Sequence, residues 1–284
     1  MRTSDLTEPR TAFVVQPASL GTKVSFHRLE AFFKQKGIQV INTPKFKRKH
    51  PYMAGEDIER YRELLSAFSS SADIVVCLRG GYGSQRLLPL FNKRIGNKLF
   101  LGYSDITALQ VTRVVPFAVY GDWTWLKSAK AWEIFLKIFN RSSFTVKLNN
   151  PSIKKPLKGV SLAANLSIFT DLLGTTFLKE VPEKFILFLE DTNEPLYRLD
   201  RMFFQLVNSK FLKNCVGLGL GNFDYQERLF SSQRLKTILD SLAINLPTFY
   251  YPVGHRGKGL LPVPQWWHVT VDSKEINFRP PEGI

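Results

Sequence analysis

Cysteine and histidine are scarce in this sequence: 284 residues carry two cysteines and four histidines. Cys77 and Cys215 lie far apart, which excludes the disulfide framework of a small secreted domain. Each reads as a small buried hydrophobe, and a reducing, cytoplasmic setting is expected. No cysteine–histidine spacing suits a zinc site, and neither a metal nor a cofactor is expected. No apolar run approaches the roughly 20 residues of a membrane span. The stretch Ala12–Val15 is too short for the core of a secretory signal. Acidic residues are also few, 24 against 39 basic ones, for a formal charge of +15. Such an excess points to nucleic acid, an anionic surface or an anionic substrate. The densest basic cluster, Lys45, Lys47, Arg48, Lys49 and His50, sits in a loop between Pro44 and Pro51. No RNA-binding aromatic pair or basic zipper accompanies it. A solvated basic loop is the simpler reading, and specific nucleic-acid binding is not expected.

What is present is ordinary core-forming material, 44% apolar and 22% charged, enough for one large or two modest domains. Strands are expected at Thr11–Val15, Ile38–Ile41, Asp73–Cys77, Lys98–Leu101 and Phe117–Tyr120. Helices are expected at Val24–Lys36, Gly55–Ser69, Gln85–Phe91 and Asp105–Thr112. Strands alternating with helices imply a doubly wound parallel sheet, Rossmann-like in type. Residues 1–140 form this N-terminal α/β domain. Residues 141–157 are polar, basic and broken by Pro151 and Pro156, and read as a linker. Residues 158–284 form a second, mixed α/β domain richer in strand. There Leu162–Leu173, Tyr197–Asn208 and Gln233–Leu242 read as helical. Phe185–Leu189, Val216–Gly221, Thr248–Val253, Trp266–Val271 and Ile276–Arg279 read as strands.

The chemistry centres on Ser104. An apolar run ends at Gly102, Tyr103 and Ser104 follow, and a helix-compatible stretch starts at Asp105. That is the local pattern of a nucleophile elbow, where a tight strand-to-helix turn projects a hydroxyl beyond a sheet. The backbone N–H after such a serine lies near a helix N-terminus and can stabilise an oxyanion. The competing reading is a helix-capping serine. A nucleophilic serine needs a base. Among the four histidines, His255 follows a strand and lies among Gly254, Gly257 and Gly259, which suits close approach by other groups. His27, His50 and His268 read as surface or packing residues. Glu190 ends a buried apolar strand, where it could orient an imidazole; Asp191 competes for that role. Gly80, Gly81 and Gly83 form a turn matching neither a P-loop nor a dinucleotide fingerprint.

The combination is more specific than its parts. The segments Arg79–Pro89, Gly102–Thr107, Ala164–Ser167, Leu172–Thr175, Phe188–Asp191 and Glu194–Met202 occur in that order, followed by Gly254-His255 and Leu261-Pro262. Together they resemble the LD-carboxypeptidase family, serine peptidases typified by muramoyl-tetrapeptide carboxypeptidase, with the microcin-immunity peptidases as relatives. The resemblance implies a Ser104–Glu190–His255 triad. It implies an oxyanion hole from the N–H groups of Asp105 and of Gly80 or Gly81. It places the serine on the N-terminal sheet and the acid and histidine on the C-terminal domain, with the site at their junction. The implied substrate is a murein tetrapeptide losing its terminal D-alanine in peptidoglycan recycling. Its terminal carboxylate calls for a donor, for which Arg79, Arg86 and Arg256 are candidates. Family members are commonly homodimers, so a homodimer is expected. The alternatives are a microcin-type or other amide hydrolase on the same scaffold, and a muropeptide-binding protein without turnover. Two departures lie near the substrate: Tyr120-Gly121-Asp122 where the family has His-Gly-Pro, and Ala163-Ala164-Asn165-Leu166 where it has Gly-Gly-Asn-Leu.

Overall fold

Uninterrupted apolar runs make the central strands. Ile74–Cys77 and Leu99–Gly102 are buried at every position, as expected of parallel strands covered on both faces. The computed structural model describes residues 6–47, 50–147, 153–178 and 180–282. It divides into two units that meet between Asn140 and Arg141.

In the first unit the strands are β1 (Thr11–Val15), β2 (Gln39–Val40), β3 (Ile74–Cys77), β4 (Leu99–Gly102) and β5 (Ala118–Tyr120). Their spatial order is β5-β4-β3-β1-β2, and every pairing is parallel. This is a doubly wound sheet whose connections reverse direction between β1 and β3, where ligands gather beyond the carboxyl ends of strands. Helix α1 (Lys23–Gln35) starts at Thr22, whose hydroxyl accepts the Ser25 N–H at 3.0 Å, and buries Phe26, Leu29, Phe32 and Phe33. Helix α2 (Asp57–Ser69) opens on a capping box between Glu56 and Glu59, which satisfies two otherwise orphaned N–H groups.

Two local expectations change. The helix expected at Gln85–Phe91 is a 3-10 turn, Ser84–Leu90, containing Pro89; proline lacks the N–H that an α-helix would use there. The helix expected at Asp105–Thr112 starts as a 3-10 turn, Ser104–Ile106, and continues as α3 (Thr107–Val111). A further helix, α4 (Ala129–Phe139), was not anticipated. Ser128 caps it, and Ala131, Trp132, Ile134, Phe135, Leu136 and Ile138 are buried. Its apolar residues fall at helical spacing, a signal that the sequence carries.

In the second unit the strands are β6 (Phe144–Lys147), β7 (Leu157–Asn165), β8 (Phe185–Asp191), β9 (Cys215–Tyr225), β10 (Arg228–Leu229), β11 (Thr248–Tyr250), β12 (Val263–Pro264), β13 (His268–Val271) and β14 (Glu275–Arg279). The sheet order is β10-β9-β8-β7-β13-β14-β6, with β11 beside β9. Pairings among β7, β8, β9 and β11 are parallel; β13, β14 and β6 are antiparallel. The remaining helices are α5 (Leu166–Leu172), α6 (Leu196–Asn208) and α7 (Ser232–Ser241).

Two corrections fall here. The helix expected over Leu162–Leu173 is helical only at α5, because Leu162–Asn165 belongs to β7 between β8 and β13. A strand buried on both faces shows no alternation and can pass for helix. The segment 141–157, expected as linker, contains β6, whose Phe144 and Val146 are buried while Thr145 and Lys147 are exposed, and which pairs with β14. Residues 148–152 of that segment, and Arg48 and Lys49 of the basic cluster, lie outside the described residues. Cys77 and Cys215 are buried and free, and burial pushes the Cys215 thiol up to about 11. Among the described residues no helix is long and apolar enough to cross a membrane.

The second core centres on Phe188 in β8. Its ring lies 5.7 Å from Phe249, 5.1 Å from Tyr251 and 5.9 Å from Phe278. Phe188→Ala is expected to cost about 3–5 kcal/mol, read as a lower denaturant midpoint with an unchanged slope. A loss below about 1 kcal/mol would contradict this account of the core.

Candidate active site

In the first unit the candidate nucleophile follows β4. Tyr103 is extended, and Ser104 then takes φ 60°, a left-handed conformation costing a non-glycine residue about 1–2 kcal/mol. The turn is tight enough to need Gly102, where a Cβ would lie 2.6 Å from Ile106 Cγ2 and 3.1 Å from Cys77 Sγ. The Ser104 N–H donates to Tyr120 Oη at 3.0 Å. Gly80 packs directly on the serine: a Cβ there would meet Ser104 Cβ at 2.8 Å and Oγ at 3.1 Å. Asp105 is fully buried. Its carboxylate accepts N–H bonds from Gly83 at 3.2 Å and Ser84 at 2.7 Å, and Ser84 Oγ donates to the Asp105 carbonyl. Burial raises the Asp105 pKa, while these bonds and Arg60 oppose that shift. Gly81, at φ 112°, leaves room for Ser19, whose N–H donates to the Gly80 carbonyl at 3.3 Å. The glycine turn and the serine turn are thus joined through Asp105 and through contact of Gly80 with Ser104.

In the second unit the candidate acid and histidine lie at and beyond the carboxyl end of β8. Glu190 is completely buried, and its Oε2 lies 2.8 Å from His255 Nδ1. A carboxylate only accepts, so Nδ1 carries the proton and the lone pair falls on Nε2. Asp191 faces elsewhere. It accepts from Ser167 N–H at 2.8 Å, Ser167 Oγ at 2.6 Å and Thr192 N–H at 2.8 Å. Asn165 separates the two acids, its Nδ2 lying 3.3 Å from Glu190 Oε1 and 2.9 Å from Asp191 Oδ1. Burial opposes charge on His255, but Glu190, with Asp191 and Asp224 behind it, outweighs that and raises the imidazole pKa. Burial, aided by the Glu190 charge, pushes Asp191 up to about 6. Asn222 secures the histidine loop: its N–H donates to the Val253 carbonyl at 2.7 Å, and its side chain donates to the Arg256 carbonyl.

The three candidate arginines are all engaged. Arg79 Nη1 donates to the Leu20 carbonyl at 3.4 Å. Arg86 grips Asp57 with Nε at 3.0 Å and Nη2 at 2.9 Å. Arg256 Nη2 lies 3.2 Å from Glu227 Oε1, and its Nε 3.7 Å from Asp224 Oδ1. A substrate carboxylate at Arg86 or Arg256 therefore competes with an existing carboxylate. Tyr120, Asp224, Asn222 and Arg60 were not singled out as site residues from sequence. Each acts through partners distant in the chain, and no short motif marks them. Among the described residues no three histidine, cysteine or acidic side chains converge as a metal site.

Both halves match one family. Residues 13–116 match the LD-carboxypeptidase N-terminal domain, and residues 158–270 match the LD-carboxypeptidase C-terminal domain. The chain belongs to the LD-carboxypeptidase family, a family of peptidases. A relative from Streptomyces coelicolor is 34% identical over 188 residues, 61% of this chain and 60% of its own length. The match thus spans under two thirds of that relative. The murein tetrapeptide carboxypeptidase of Pseudomonas aeruginosa is 26% identical, covering 87% of this chain and 88% of its own. The muramoyltetrapeptide carboxypeptidase structure from Oxalobacter formigenes superposes with a TM-score of 0.80 at 24% identity, over 95% of this chain and 100% of that one. At that identity it speaks for the fold.

The acid pair sets a pH dependence of stability. Asp191 holds its proton to about 6 when folded, against 3.8 unfolded. Between those values the folded state binds more protons, so stability falls as pH rises. The raised His255 pKa acts in the same direction from 6.5 upward. Asp191→Asn is expected to flatten the slope between pH 3.8 and about 6 in denaturation series. An unchanged slope would contradict the assignment.

Proposed function

We propose that this chain is a serine-type LD-carboxypeptidase with a Ser104–His255–Glu190 triad. The observation that carries this reading is the buried Glu190–His255 bond, which puts a basic Nε2 on the imidazole. The left-handed serine turn beside Gly80 supports it. Ser104 Oγ attacks the scissile carbonyl carbon while His255 Nε2 takes the hydroxyl proton. The tetrahedral oxyanion is held by the N–H groups of Asp105 and of Gly80 or Gly81. The intermediate collapses, the carbon–nitrogen bond breaks, and His255 returns the proton to the leaving amine. Water, deprotonated by the same imidazole, then attacks the acyl carbon; the carbon–Oγ bond breaks, and the imidazolium returns the proton to Ser104 Oγ. Glu190 fixes the tautomer and stabilises the transient imidazolium.

The family and the Pseudomonas relative's name point to murein tetrapeptide as substrate, with D-alanine as the leaving amine in peptidoglycan recycling. Mass spectrometry of tetrapeptide incubated with the purified protein is expected to show loss of one alanine, unaffected by chelator. Ser104→Ala should lower kcat by about 10⁴-fold or more. Absence of cleavage across tri-, tetra- and pentapeptides would overturn the murein reading. A second test concerns the base. The acid limb of kcat/KM should reflect an imidazole pKa above 6.5, since His255 must be neutral to accept the proton. Glu190→Gln removes the charge that favours imidazolium, so the limb should move to lower pH while kcat falls about 10³–10⁴-fold. A limb that stays in place would exclude His255 as the titrating base.

A further inference from the structure

Arg60 in α2 is a buried charge that the proposed chemistry does not use. It is fully buried, which a guanidinium tolerates only when its donors are paired. Its Nε donates to the Gly55 carbonyl at 3.2 Å, and its Nη1 to the carbonyls of Gly83, at 2.8 Å, and Pro17. Its Nη2 pairs with Asp57 and lies 3.2 Å from Met53 Sδ. These acceptors belong to three segments: the lead into α2, the loop leaving β1 and the glycine turn leaving β3. The last two flank the point where the sheet reverses direction.

Gly83 is held from both sides. Arg60 takes its carbonyl, and the Asp105 carboxylate takes its N–H at 3.2 Å. No side chain fits there: at φ 119° a Cβ would lie 2.6 Å from Met53 Sδ and 3.1 Å from Arg60 Nη1. Three residues earlier in the same turn, Gly80 rests against Ser104. We propose that Arg60 is a positioning residue for the reaction at Ser104, clamping the glycine turn at its working distance from the nucleophile. The inference rests on the reading of Ser104 as nucleophile. An arginine suits the task because a planar fork reaches several acceptors in fixed directions, whereas a lysine ammonium is a point charge with three donors. Asp57 extends the clamp outward, accepting Arg60 at Oδ1 and Arg86 at Oδ2. Arg86 thereby serves the same clamp from the surface.

The test compares Arg60→Lys with wild type by hydrogen exchange over residues 79–86, fluorophosphonate labelling of Ser104 and tetrapeptide kinetics. Exchange in the turn should accelerate about tenfold or more, with the rest of the first unit unchanged. Labelling rate and kcat should fall together by about 10–100-fold, as for a misplacement near 1 Å, with KM within about threefold. Unchanged turn exchange in a folded variant would overturn the proposal. So would faster exchange with kcat and labelling intact, since the turn's position would then not matter to the reaction. If Arg60→Lys does not fold, Asp57→Asn is read the same way at smaller amplitude. A wild type that neither cleaves nor labels would remove the peptidase reading, and with it a role at Ser104. Exchange would then report only whether Arg60 holds the turn.

Discussion

At Ser104 the backbone occupies φ 60°, and the first unit is arranged around keeping a residue with a Cβ there. The left-handed region disfavours serine by about 1–2 kcal/mol, so the neighbours must over-determine it. Gly102 removes a Cβ that would strike Ile106, and Gly80 removes one that would strike the serine. Tyr120 accepts the serine's N–H, and buried Asp105 ties the next residue to the glycine turn. A buried carboxylate is costly unless bonded, and its partners here are backbone N–H groups that an irregular turn would otherwise leave unsatisfied. The strained serine, the two glycines and the buried acid therefore form one dependent set.

The second unit solves a different problem, that of two adjacent acids at the end of one strand. Successive residues of a strand point to opposite faces, so Glu190 and Asp191 diverge, and Asn165 donates between them. Asn165 faces Glu190 in register across β7 and β8, and its Oδ1 caps α5 by accepting the Ile168 N–H at 3.2 Å. One amide thus starts a helix and separates two like charges. The consequence is directional. Burial, reinforced by the Glu190 charge, makes Asp191 hold its proton more tightly, while Glu190 keeps its partner in His255. The small residues Ala163 and Ala164 that precede Asn165 are fully buried, so the strand delivers the amide at its carboxyl end without crowding the core.

Much of this was legible in the residues. The apolar strands ending at Gly102 and Glu190, the turn glycines and the histidine among glycines are local signals, and their order carried the family resemblance. What escaped was non-local. Leu162–Asn165 passed for helix because a strand covered on both faces lacks the period-two pattern. Phe144–Lys147 has that alternation, but its polar, proline-broken surroundings disguised a four-residue strand that only β14 completes. Arg60 lies in a helix rich in charged residues, and no local pattern sets it apart from them. Its acceptors at Pro17 and Gly83 are 43 and 23 residues away, and nothing short of the fold brings them together. Tyr120 shows the same limit: a strand tyrosine whose bond to Ser104 depends on β4 and β5 lying side by side.

That tyrosine also bears on the oxyanion. In a serine peptidase the nucleophile's own N–H can join the oxyanion hole. Here that N–H is directed to Tyr120 Oη at 3.0 Å. Under the proposed mechanism the donors must then come from the residue after the serine and from the glycine turn. The turn qualifies only if it is held stiffly, because an oxyanion donor works by being already in place when charge develops. Stiffness cannot come from regular secondary structure at Gly80–Gly83, which belongs to no helix or strand. It comes from side chains taking the turn's backbone groups one by one: Ser19 at Tyr82, Asp105 at Gly83 and Ser84, Arg60 at Gly83. Glycine makes the close approach to Ser104 sterically possible, and these three side chains restore the order that glycine gives up.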